Sequence, residues 1–202
     1  RRARRQHVER ADGLELVRHL DGVRGCRQER EVQHGADVLV LEDAPELAVG
    51  ARLREIERAE PDFVSAPRYL ASLALAQKDD RTFIEQTRLV GTITHDPQYT
   101  DLANAAENGL ARAGHRGMLE AMRPVQEHYF QMGRSSGYEL ARTCALLGRQ
   151  DDAVRYLQAT IQDRDYIVCG ASSDPDFASL SGNPGFQQIR RQLLSHVSTH
   201  SW

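Results

Sequence analysis

The chain has 202 residues, 40% of them hydrophobic, and a formal net charge of -3, long enough for one or two domains with a core of useful size. So small a net charge excludes a surface matched as a whole to nucleic acid or anionic lipid, and no apolar run approaches the roughly 20 residues that span a bilayer. Three widely spaced cysteines, Cys26, Cys144 and Cys169, form neither a disulfide framework nor a zinc pattern, which favours a reducing, cytoplasmic compartment.

Residues 1–43 read as a poorly defined N-terminal segment, either helical or a degraded repeat. Leu14, Val17, Leu20 and Val23 recur every three residues and allow an amphipathic helix, while the stretch from Cys26 to Gln33 is polar on nearly every side. Arg1-Arg2-Ala3-Arg4-Arg5 is not followed by an apolar stretch, so it makes a poor export signal. The chain does not start with Met, and a fragment of a longer protein is expected. Residues 1–35 carry nine Arg and six acidic residues, so +3 there leaves -6 for the remainder. The acids Glu9, Asp12, Glu15 and Asp21 interrupt any basic stripe, and aromatics for base stacking are missing. Nucleic-acid contact is not expected from this segment. Ala36 to Leu41 is strand-like by periodicity alone, but its place one repeat before the next apolar helix argues for a degraded helix.

From Ala44 the pattern sharpens. Leu47, Leu53, Ile56 and Ala59 form a helical stripe that Glu60-Pro61 ends. Phe63 to Gln77 follows, with Tyr69, Leu70, Leu73, Ala74 and Ala76 apolar, and then Arg81 to Thr92, with Asp80 as its expected N-cap. Asp96-Pro97 closes that unit 36 residues after Glu60-Pro61. Further helices are predicted over Tyr99–Ala113, Gly117–Met132, Tyr138–Leu147 and Asp151–Gln162, with a kink at Pro124. Leu70-Ala71, Ala105-Ala106 and Leu140-Ala141 stand 35 residues apart, each followed by a polar or glycine turn. That pitch, with a helix on each side of a turn, marks an array of helix pairs, in which each unit buries its apolar face against the next.

The stretch from Gly137 to Leu157 resembles a tetratricopeptide repeat, with Leu140 and Ala141 as the large/small pair of the first helix, Gly148 in the turn and Ala153 as the small residue of the second helix. Ala141 and Ala153 let the paired helices approach closely, and a larger side chain at either should cost about 1–3 kcal/mol. The resemblance covers residues 44–165 and is carried most fully by the last unit; upstream, Ala105 replaces the large residue, and Phe83 or Met118 stands where Ala is expected. Asp174-Pro175-Asp176-Phe177 and Asn183-Pro184-Gly185-Phe186 resemble the paired Pro-x-Phe tail that closes many bacterial arrays of this family, although Ser181 and Asn183 depart from its usual Arg and Asp. Residues 166–202 would then be a capping segment and tail, with Phe177, Leu180, Phe186, Ile189 and Leu193 plugging the open end. The resemblance implies an all-α fold of antiparallel helix pairs in a right-handed superhelix. It also implies the sensory or scaffolding part of a bacterial signalling or regulatory protein.

Several motifs invite chemistry. Gly133-Arg134-Ser135-Ser136-Gly137 fits G-x-S-x-G, whose serine, here Ser135, would be the nucleophile of a hydrolase. That motif needs a strand before it, whereas Val125, Tyr129, Phe130 and Met132 follow helical spacing. An inter-repeat loop with Ser136 capping the next helix is the expected reading. His95, His115 and His128 show no i,i+4 pairing, so no metal site is expected, and the charged run around Glu55, Glu57 and Arg58 reads as a solvated helix face. No cofactor is implied.

In the tetratricopeptide family the first helix of each pair lines a concave groove, at positions two before and two after the large residue. This selects Arg68 and Ser72, Ala103 and Glu107, and Tyr138 and Arg142. Arg68, Tyr138 and Arg142 would make a patch suited to a peptide carboxylate or an acidic segment. The expected function is therefore non-enzymatic binding of a protein or peptide in that groove. A hydrolase using Ser135, and a scaffold that self-associates through Phe177 or Phe186, are the alternatives.

Overall fold

In the computed structural model, residues 46–162, 171 and 174–198 are described; the expectations for residues 1–43, Cys26 and Cys169 lie outside them. Every element among these residues is helical. In chain order they are α1 (Glu46–Ala59), α2 (Ser65–Ala76), α3 (Asp80–Thr94), α4 (Pro97–Gln131), α5 (Gly137–Leu146), α6 (Gln150–Gln162), a 3-10 segment (Pro175–Leu180) and α7 (Pro184–Ser198). The principal contacts run between neighbours: each helix from α1 to α5 packs on the next, the 3-10 segment lies on α5, and α7 lies on α6. None of these helices is long and apolar enough to cross a membrane.

Local chemistry explains the boundaries. Helix α1 stops before Pro61, whose ring disfavours helical backbone at the residue before it. The Asp96 side chain accepts the Gln98 N–H at 3.0 Å and Pro97 supplies a preset φ, so α4 opens with both devices that favour a helix start. The cap of α3 is Asp79, whose carboxylate accepts the Thr82 N–H at 3.2 Å. The expected cap, Asp80, is instead the first helical residue, and its side chain pairs with His115.

Three turns end their helices in one way. The Lys78 N–H donates to the Leu75 carbonyl and the Asp79 N–H to that of Ala74; Gly133 and Arg134, and Gly148 and Arg149, repeat the pattern. The pivot is left-handed, with φ of 57° at Lys78 and 76° at Gly148, two pitches later. A left-handed conformation crowds the Cβ of any L-residue against the following carbonyl, and glycine avoids that contact. Lys78→Gly should therefore raise stability by about 0.5–1 kcal/mol despite the greater freedom of its unfolded chain. Chemical denaturation read by circular dichroism measures it, and a destabilised variant would refute this account of the turn.

The helices expected over Tyr99–Ala113 and Gly117–Met132 are the two halves of α4. Between them only Ala113 and Gly114 leave helical dihedrals. The halves fold back on each other: the Tyr129 hydroxyl donates to the Asp101 carboxylate at 2.7 Å, 28 residues away in sequence. A Cβ at Gly117 would lie 2.5 Å from the Gly109 carbonyl oxygen. Two small residues thus let the backbones touch where the hairpin is narrowest. The break falls between the two expected helices, at Ala113 and Gly114, and the residues around Pro124 keep helical dihedrals.

The core is divided into three clusters along the chain. Leu53, Ile56, Ala66 and Leu70 form the first; Ala71, Phe83, Ala106 and Met118 belong to the second. The third gathers Leu140, Ala141, Cys144, Ala153 and Leu157 with Phe177, Leu180, Phe186, Ile189 and Leu193. All five apolar side chains expected to plug the end of the array lie in that last cluster. Of the three large/small pairs, every residue but the half-buried Ala105 is buried.

Candidate functional site

Helix α5 starts at Ser136, whose hydroxyl accepts the Tyr138 N–H at 3.2 Å. A spacing of four puts Tyr138 and Arg142 on one face, one turn apart. The 3-10 segment that lies across them has its own cap, since Asp174 Oδ1 accepts the Asp176 N–H at 3.0 Å and Pro175 follows. The cap geometry leaves the other oxygen of Asp174 free to accept the Tyr138 hydroxyl at 2.7 Å, and that oxygen stands 3.5 Å from Arg142 Nε. Asp176 Oδ2 accepts from Arg142 Nε at 2.8 Å and from Nη2 at 2.5 Å, while Nη1 donates to Glu139 at 2.9 Å. Phe177 packs edge-on against the Tyr138 ring, with centroids 5.4 Å apart.

Arg142 is only 3% exposed. Burial by itself would lower its pKa; the carboxylates of Glu139, Asp176 and Asp174 outweigh that and raise it, so the guanidinium stays charged. The Tyr138 hydroxyl is held protonated, first by burial and then by the Asp174 charge it faces. One buried cation is thus shared among three acids, and two of those acids come from the capping segment.

The groove residues selected by the repeat frame do not form a single open row. Tyr138 and Arg142 are covered by the 3-10 segment, and their polar atoms are taken by this chain's own carboxylates. Ala103 is core, and Glu107 accepts Arg88 Nη2 at 2.8 Å. Arg68 is exposed on α2, where Nη2 donates to the Tyr99 hydroxyl at 3.1 Å and the guanidinium lies 5.4 Å from the Tyr99 ring centre. The sequence marks Asp174 and Asp176 as part of a Pro-x-Phe step but not as partners of α5, although they follow Tyr138 and Arg142 by 36 and 34 residues, one repeat length.

The other motifs resolve locally. The residues before Ser135 belong to α4 as far as Gln131, so the strand that a nucleophile elbow requires is not there, and Ser136 caps α5. The Asp80 and His115 side chains meet at 2.6 Å and join the start of α3 to α4 just after its break. No cluster of three metal-ligating side chains occurs among the described residues. Cys144 is a core residue, its thiol pushed up to about 11, mainly by burial.

A second polar network bridges α4 and α6. The Tyr156 hydroxyl donates to Glu127 at 2.7 Å, and Arg123 donates to the other carboxylate oxygen at 2.8 Å. The tyrosine bond leads in holding Glu127 below its usual range, while burial and then the Glu127 contact push Tyr156 up to about 12. A hydroxyl whose pKa is raised on folding contributes stability below the unfolded value near 10, and loses it as pH climbs through that value to about 12. Stability should fall across that alkaline window, and Tyr156→Phe should flatten the fall; an unchanged slope in denaturant titrations would contradict the assignment.

Compared with family models, with curated proteins and with solved structures, the chain matches none of them.

Proposed function

We propose that this chain is a non-enzymatic, tetratricopeptide-like module that binds a protein or peptide, the sensory or scaffolding part of a larger bacterial signalling or regulatory protein. Its helix pairs wind into a right-handed superhelix whose inner face receives the partner. The observation that carries this reading is sequential packing: each helix lies on its neighbour in the chain, and the same hydrogen-bonded turn recurs two pitches apart at Lys78 and Gly148. Such an array displays a long surface built from many short units, which suits recognition of an extended chain.

Arg68 is the groove position to test, because its side chain is exposed and its hydrogen bond to Tyr99 is a surface contact. Arg142 is unsuitable, since replacing it disturbs the buried network. Affinity capture with the wild-type chain should retain a partner that an Arg68→Glu chain of equal helicity releases. A partner held equally by both would move recognition away from this face, and a folded chain that retains nothing would count against the module reading.

A further inference from the structure

We propose that the Tyr138–Arg142 face of α5 is a receptor for an acidic-aromatic peptide segment of the form Asp-x-Asp-Phe, held closed in this structure by the chain's own Asp174–Phe177. This rests on the binding-module reading and specifies its ligand class. The contacts themselves define the chemistry. The first acid accepts the Tyr138 hydroxyl, the second takes two donors of the Arg142 guanidinium, and the aromatic ring packs edge-on against Tyr138. These are side-chain contacts to a short stretch, so a segment of the same pattern arriving in trans can make each of them.

The chain's second Pro-x-Phe step supplies an internal comparison. Asn183-Pro184-Gly185-Phe186 repeats the cap geometry, with Asn183 accepting the Gly185 N–H at 2.9 Å, and Phe186 is buried as Phe177 is. It has no acid where the first step has Asp176. Aromatic burial is common to both steps, so the carboxylates distinguish the segment that occupies Arg142. A segment joined to its own site within one chain competes at a raised effective concentration. The trans ligand therefore sees only the fraction of chains whose segment has left.

The test uses the full chain and a fluorescent peptide of this protein's residues 174–193. In a chain carrying Asp174→Asn and Asp176→Asn, which keep shape and capping ability, the peptide should bind about tenfold tighter than to wild type, because the tethered competitor is weakened. A peptide with both Asp changed to Asn, and one with the first Phe changed to Ala, should each lose about tenfold in affinity for that variant. Equal affinity of the acidic and amide peptides, or no saturable binding to a variant of wild-type helicity, would overturn the proposal. If the double substitution reduces helicity, Asp174→Asn alone replaces it under the same criteria. Partner capture that depends on Arg68 without peptide binding here would defeat this inference and leave the module reading intact.

Discussion

Arg142→Met should destabilise the fold by about 3–5 kcal/mol, the usual cost of removing one member of a buried charged pair. Most of that loss comes from what is left behind. Asp176 is itself buried, with a side-chain exposure of 6%, and without the guanidinium its carboxylate has neither a counter-charge nor water. Asp174 retains the Tyr138 hydroxyl and the Asp176 N–H, and Glu139 is half exposed, so the deficit centres on Asp176. Combining Arg142→Met with Asp176→Leu should recover much of the loss, because an apolar replacement of a whole buried pair is often neutral or stabilising. Urea denaturation of the two single variants and the double variant gives the coupling. Additive losses would show that the pair does not act as a unit.

The second large effect belongs to the α4 hairpin. Gly117→Ala places a methyl 2.5 Å from the backbone carbonyl oxygen of Gly109 and 2.7 Å from the Ala113 side chain. The obstacle is backbone, so it cannot be relieved by a rotamer change, and the halves of α4 must separate. We expect a loss of about 3 kcal/mol, at the upper end of the usual overpacking cost, in spite of alanine's better helix propensity. Ala106, Met118, Leu119 and Met122 lie in the cluster beside the crossing, so separating the halves also loosens the middle of the core. Thermal unfolding followed by circular dichroism reads this directly. A variant as stable as wild type would mean that the halves do not meet through these glycines.

Much of the architecture was legible because it is written in short-range chemistry. A helix end at Pro61, a break at Asp96-Pro97, a turn at Gly148 and the helix that becomes α6 each depend on residues within a few positions of one another. The pitch of 35 residues marked the succession of helix pairs, and the two Pro-x-Phe steps marked the residues that seal the last cluster. The misplaced α3 cap shows the limit of such reading. Asp79 and Asp80 are chemically alike, and only the left-handed backbone at Lys78 decides which of them precedes the first turn.

The candidate site was legible by position and not by environment. Tyr138 and Arg142 share one face of α5, as a spacing of four on any helix requires. Whether the face is open depends on a segment more than thirty residues further along the chain. Sequence periodicity specifies how a helix is turned, but it does not specify what lies against it. Helix positions, the all-helical class and the apolar residues of the seal were therefore determined by the sequence alone. The Gly109–Gly117 crossing, the exposure of Arg68 against the burial of Arg142, and the closing of the Tyr138–Arg142 face by Asp174 and Asp176 were decided by the tertiary structure. Each of these depends on contacts between elements distant in the chain, which arise only when the helices have packed.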